Sequence, residues 1–158
     1  IYSALRRLSA ASDHSKISFA VAGVLALWPG RSRRAAALGV AAIGVASTTA
    51  NLLGKRLVRR PRPHRAEDSP FPGRHVPMPA SASFPSGHTA SAVAFAAAVG
   101  PALPAATVPL GLLACAVGYS RVHTGVHYPG DVIAGAVLGT GAAATVIAVA
   151  RWEGLPTR

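Results

Sequence analysis

His127 and Asp131 stand four residues apart, a spacing that lets a carboxylate hold one imidazole nitrogen while the other attacks an electrophile. Pro129 lies between them and suits a first helical turn, where its missing N–H does no harm. Upstream, Pro85-Ser86-Gly87-His88 sets a natural N-cap, a glycine that lets the backbone come close to a ligand, and a second histidine at the start of an apolar run. Lys55, Arg62 and Arg121 contribute three cations, and Ser120 precedes the last of them. Guanidinium groups donate paired hydrogen bonds that match phosphate oxygens. With His127 as nucleophile, His88 could protonate a departing oxygen, a general-acid effect of roughly 10²–10⁴-fold. The cations would stabilise charge on the equatorial oxygens. These side chains fit phosphoryl transfer. The acids are scattered and show no metal-ligand spacing, so neither a metal nor another cofactor is expected.

Each run also has a plainer reading. Pro-Ser-Gly-His can be only a helix cap, His127 and Asp131 only a local hydrogen bond, and the arginines a contact with anionic lipid. Placement favours the functional reading. Five apolar stretches can be drawn, at about 17–28, 35–53, 86–99, 105–119 and 132–150. A bilayer core of about 30 Å asks for about 20 helical residues. The second and fifth stretches meet that length, and the others reach it by borrowing flanking residues. Spanning helices alternate direction. The end of the second stretch (Lys55, Arg62), the start of the third (Ser86, Gly87, His88), the end of the fourth (Ser120, Arg121) and the start of the fifth (His127, Asp131) therefore fall on one side of the membrane.

Composition supports that picture. The chain of 158 residues has room for one domain, is 51% hydrophobic and only 13% charged, and has positive mean hydropathy. Ordinary soluble domains carry about 25% charged residues. A net charge of +11 suits a nucleic-acid binder, but such proteins are seldom this apolar, and no nucleic-acid partner is expected. Small residues are plentiful in the apolar stretches, which suits close helix packing in lipid. Between Lys55 and Pro85 seven prolines, including Pro70 and Pro72, predict an extramembrane loop without long helix. Cys115 stands alone and reads as a small buried hydrophobe. Arg6 and Arg7 precede an apolar run, but no small-residue cleavage site follows it, which argues against a signal peptide. The chain opens on Ile1, and a trimmed N-terminus is expected; the polar Tyr2–His14 segment would be a surface helix or the remnant of a sixth span.

Taken together, these runs resemble the type 2 phosphatidic acid phosphatase family, whose pattern has three blocks. Lys-x6-Arg-Pro appears as KRLVRRPRP, with Lys55, Arg62 and Pro63; Pro-Ser-Gly-His as Pro85 to His88; and Ser-Arg-x5-His-x3-Asp as SRVHTGVHYPGD, with Ser120, Arg121, His127 and Asp131. The blocks are complete and in order. The resemblance implies an all-α, polytopic transmembrane bundle forming a single domain over residues 1–158. About five membrane helices are what the apolar stretches allow, whereas full-length members of the family often have six. The resemblance also implies that His127 forms a phosphohistidine, that Asp131 orients it, and that His88 is the general acid. Lys55, Arg62, Ser86, Gly87 and Arg121 would hold phosphate. It further implies metal-independent hydrolysis of a lipid phosphate or diphosphate, of phosphatidic acid or polyprenyl type, with the bilayer as its setting. The Ala- and Arg-rich composition resembles that of a bacterial source. His64 and His123 occupy no motif position and read as loop residues.

Two rivals are kept. Vanadium-dependent haloperoxidases share this kind of pocket but are typically larger and soluble, so spanning segments oppose them. A basic membrane protein that merely binds anionic lipids would explain the arginines, but not two histidines and an aspartate at helix starts. Arg31, Arg33 and Arg34 suggest a cytoplasmic loop and place the active site on the outer face, whereas the basic loop from Lys55 to Arg74 argues the opposite.

Overall fold

In the computed structural model, residues 2–12, 15–64 and 76–157 are described. Among the described residues seven α-helices follow one another: α1 (Tyr2–Ala11), α2 (Lys16–Ala26), α3 (Arg31–Thr48), the single turn α4 (Lys55–Leu57), α5 (Gly87–Val99), α6 (Pro104–His123) and α7 (Pro129–Trp152). No strand occurs among the described residues. A π-helical stretch, Thr49–Gly54, joins α3 to α4, so helix runs without a break from Arg31 to Leu57. Prolines open α6 and α7 in their first turns, where a proline N–H is not missed.

Three of these helical runs are long and apolar enough to cross a membrane: Arg31–Leu57 with 27 residues, α6 with 20 and α7 with 24. The other two expected spans form shorter apolar helices, α2 with 11 residues and α5 with 13. Pro29-Gly30 and Gly100-Pro101 bound them, and Pro85 adjoins the start of α5. The fourth stretch is longer than its hydropathy suggested, because α6 continues through Ser120 and Arg121 to His123. Large apolar side chains project outward from α6 and α7, with Val108, Leu112, Ile133 and Val137 each 65–69% exposed, as suits a surface facing acyl chains. Cys115 points to that same surface and is exposed, against the expectation of burial. A thiol among acyl chains meets the apolar surroundings it would meet in a core.

α5 sits at the centre of the bundle, packed against α3, α6 and α7. Its neighbours approach through small residues. Ala42, Ala46, Ala90, Ala94, Ala142 and Ala143 form a buried apolar seam, with Leu38, Leu138 and Val146 packed against it. Gly135 and Gly139 bring the backbone of α7 onto α5. A Cβ at Gly135 would lie 2.5 Å from the Ser86 carbonyl oxygen, and one at Gly139 would overlap the Ala90 carbonyl oxygen. α1 packs against α6, with its Ser9 fully buried. The N-terminal segment thus contributes a docked helix of ten residues, and His14 lies outside the described residues.

Candidate active site

Asp131 anchors the site. It enters at the third position of α7, and its side chain accepts from the Tyr128 backbone N–H at 2.9 Å while the Asp131 N–H reaches back to the Tyr128 carbonyl. The carboxylate is fully buried. Its Oδ2 also accepts from the Ser83 hydroxyl, and its Oδ1 is paired with Arg60 Nη1 at 3.1 Å. Buried carboxylates need this degree of satisfaction, because a desolvated charge without partners is costly. Arg60 is fixed in turn by the face of Tyr128, 4.1 Å from its guanidinium carbon. Spacing gave no hint of Arg60 or Ser83. Arg60 looked like one more charge in a basic run, and only its contact with a residue 71 positions away distinguishes it.

His127 lies in the turn between α6 and α7, held by its backbone N–H on the Arg121 carbonyl at 3.2 Å. Gly125, at φ 67°, reverses the chain just before it in a conformation glycine adopts freely. The imidazole is buried. Its Nδ1 lies 3.6 Å from Asp131 Oδ2 without yet forming a hydrogen bond, and its Nε2 lies 3.4 Å from Arg62 Nη1. Burial first, then the positive charges of Arg62 and Arg121, push the His127 pKa down to about 3; Asp131 pulls the other way, and His88 adds to the lowering. The ring is therefore neutral at physiological pH, the form that carries a free lone pair.

Arg62 is strapped across the loop. Its Nε donates to the Ser81 carbonyl at 2.8 Å and its Nη1 to the Val126 carbonyl at 2.7 Å. Lys55 Nζ donates to Ser81 Oγ at 3.2 Å. Ser81 thereby links two of the expected phosphate-holding cations. Ser86 begins α5 in an extended conformation, as an N-cap should, but its hydroxyl does not cap the helix; it accepts from Thr89 Oγ1 at 3.0 Å. Its backbone N–H donates to the Asp131 carbonyl at 2.9 Å, which ties the start of α5 to the start of α7. Arg121 is buried, with Nη1 donating to the Ser9 hydroxyl at 2.7 Å and to the Ser9 carbonyl at 3.1 Å. Ser120 faces inward along α6 and donates to the Val117 carbonyl at 2.7 Å.

A cavity of about 680 Å³ opens beside these groups, lined by Lys55, Gly87, His88 and Arg121 and by the apolar side chains of Phe19 and Ile43. The sequence-predicted residues thus converge: Lys55, Gly87, His88 and Arg121 on the cavity, Arg62 and His127 on each other, Ser86 and His127 on Asp131. Two histidines stand apart. His64 is exposed in the loop, as expected, while His123 is the last residue of α6 and stacks on Tyr119 with ring centroids 5.8 Å apart. The expected loop begins only after Leu57, and Pro70, Pro72 and Arg74 lie outside the described residues. Among the described residues no cluster of His, Cys, Asp and Glu has the makings of a metal site.

A sequence model described as the PAP2 superfamily matches residues 36–154, so α1 and α2 precede the matched region. A decaprenylphosphoryl-5-phosphoribose phosphatase of Mycobacterium tuberculosis is 40% identical over 134 residues, which cover 82% of this chain and 68% of that protein. A lipid A 1-phosphatase of Rhizobium etli is 44% identical over 98 residues, 57% of this chain and 39% of that one. Two crystal structures share the fold at 23% identity. Aquifex aeolicus LpxE matches with a TM-score of 0.71 over 91% of this chain and 83% of its own. The transmembrane PAP2-type phosphatidylglycerolphosphate phosphatase of Bacillus subtilis matches at 0.69 over 96% and 75%.

Proposed function

The chain belongs to the PAP2 superfamily and is a membrane phosphatase; from that premise we propose that it hydrolyses a lipid phosphate monoester or diphosphate through a phosphohistidine on His127, with no metal ion in the reaction. The observation that carries this reading is the setting of the imidazole. It is neutral, with Nδ1 turned to Asp131 Oδ2 at 3.6 Å and Nε2 turned to Arg62 at 3.4 Å. A small closure of the first distance would make Nδ1–H a donor to the carboxylate. Catalytic hydrogen bonds are often this long before substrate arrives.

In the proposed reaction Nε2 attacks phosphorus, the bond from phosphorus to the lipid oxygen breaks, and His88 gives that oxygen its proton. Asp131 stabilises the positive charge that develops on the ring. Lys55, Arg62, Arg121, the Ser86 hydroxyl and the Gly87 backbone N–H hold the three equatorial oxygens. Water then attacks the phosphohistidine and yields its proton to His88, which returns both histidines to their starting states. Phe19 and Ile43, on the wall of the cavity, suit an apolar substrate portion. Relatives whose names specify a polyprenyl-linked phosphate and a lipid phosphate support the same substrate class.

The test is phosphate release from a panel of lipid phosphates in the presence of EDTA, comparing the intact protein with His127→Ala. Release that persists in EDTA and falls by ~10⁴-fold or more in the variant fits the scheme. Equal release by the variant would falsify the nucleophile assignment. Residues 1–158 are read as one domain in a bacterial cell membrane, with the site on the outer face because Arg31, Arg33 and Arg34 cluster at the opposite end of α3. Replacing exposed Ala80 by Cys in a Cys115→Ser background checks the orientation. Labelling by an impermeant maleimide in intact cells supports it, and labelling only after lysis refutes it.

A further inference from the structure

α1 precedes the residues matched to the superfamily model, 36–154, yet it reaches the cavity that those residues build. It docks through one face: Ser9 and Ser12 are buried and Leu5 and Leu8 half-buried, whereas Arg6 and Arg7 are exposed. A hydroxyl in a buried position has to find a hydrogen bond. Ser12 finds its own within α1, on the Leu8 carbonyl at 2.7 Å. Ser9 turns outward instead, to Arg121 of α6. It stands in the last turn of α1, where a helix leaves carbonyls for other donors. Its carbonyl, at 3.1 Å, and its hydroxyl, at 2.7 Å, both accept from Arg121 Nη1. The two residues are buried together, and both border the large cavity beside Lys55, Gly87 and His88.

Resting on the phosphatase reading, in which Arg121 holds a phosphate oxygen, we propose that Ser9 is a positioning residue for the reaction. It sets the Arg121 guanidinium for the phosphoryl group, and α1 is thereby part of the active site. A guanidinium is planar, and its five N–H groups keep fixed directions relative to one another. Two acceptors on one nitrogen fix the plane, and with it the directions of the N–H groups on Nε and Nη2. An arginine side chain is long and flexible. Ordering that the anion would otherwise have to impose is already in place before substrate arrives. The plainer role, a serine that merely satisfies a buried guanidinium, leads to a loss of stability alone, and the experiment separates the two.

The full chain is assayed in neutral detergent micelles on phosphatidic acid and on a polyprenyl phosphate, with orthovanadate as the inhibitor that occupies the phosphoryl position. Ser9→Ala is expected to lower kcat/KM about tenfold and to raise the vanadate inhibition constant by a similar factor. Ser12→Ala, on the same buried face but with its hydroxyl bonded within α1, is the docking control and leaves both constants unchanged. In an Arg121→Met background Ser9→Ala should add no further loss, read on vanadate binding where turnover is too slow to measure. A Ser9→Ala protein that melts at a lower temperature with unchanged constants overturns the proposal. So does a loss that adds in full to that of Arg121→Met, or one that Ser12→Ala reproduces. If Ser9→Ala does not fold, Ser9→Cys, of similar volume but a weaker acceptor, gives the same comparison. Phosphate release from neither lipid by the unsubstituted protein would count against the phosphatase reading itself. Vanadate binding, seen as a rise in melting temperature, then tests Ser9 without turnover: a rise that Ser9→Ala reduces upholds the positioning role, and an unchanged rise, or none, overturns it.

Discussion

α5 and α7 meet twice, and the two meetings are made differently. At the site end they are joined by polar contacts, the Ser86 N–H on the Asp131 carbonyl and, just before α5, the Ser83 hydroxyl on the Asp131 carboxylate. One to two turns along, Gly135 and Gly139 lay bare backbone against the Ser86 and Ala90 carbonyls, and alanines make up the buried seam beside them. The first meeting is intolerant of a change in charge and the second of a change in volume. Chemistry is set by the first, but the second puts it in place, since the helix that carries Asp131 can approach the Ser86 turn only where α7 lacks side chains.

Changing charge without volume should cost activity most. Asp131→Asn puts an N–H₂ where an oxygen faced donors and leaves His127 without its carboxylate. A kcat loss of roughly 10²–10⁴-fold is expected, read from initial rates of phosphate release. Full activity in this variant would break the claim that the polar meeting carries the chemistry.

Changing volume without charge should act on stability instead. Gly139→Leu forces side-chain atoms into the Ala90 carbonyl and should destabilise the protein by about 1–3 kcal/mol, seen as a lower melting temperature in detergent. The fraction that remains folded should keep its KM. A variant as stable as the parent would mean that the seam is looser than its contacts indicate.

The smallest effect separates the two meetings by pH. The ordinary histidine pKa is 6.5, and His127 in the folded protein is pushed down to about 3. Between those values the unfolded chain binds a proton that the folded chain refuses. The contribution of His127 to stability is therefore complete above about pH 6.5 and is lost progressively as pH falls toward 3. Melting temperature measured from pH 7 to pH 4 should fall less steeply in His127→Ala than in the parent. The seam contains no titratable group, so the deficit of Gly139→Leu should stay constant over the same range.

How much of this was legible in the sequence differs residue by residue. Lys55, Arg62, Ser86, His88, Arg121, His127 and Asp131 could be named from their types, spacing and places at helix ends. Arg60 could not, because it sits in a run of arginines and its partner Asp131 is 71 residues away. Ser9 was likewise silent: an ordinary serine in a polar segment, it holds Arg121 across 112 residues. Cys115 was misplaced because hydropathy registers that a residue avoids water, and lipid satisfies that as well as a core does.

The apolar runs, their alternation of direction and the helix ends that must share a side of the membrane are properties of the sequence alone. They depend on local hydrophobicity and on the fixed rise of a helix, which need no partner. Which oxygen of Asp131 meets Arg60 and which faces His127, how Ser81 links Lys55 to Arg62, and that α1 reaches Arg121 through Ser9 were decided only by tertiary structure. Each of these depends on side chains far apart in the chain arriving within about 3–4 Å of one another, and a linear pattern does not encode that distance.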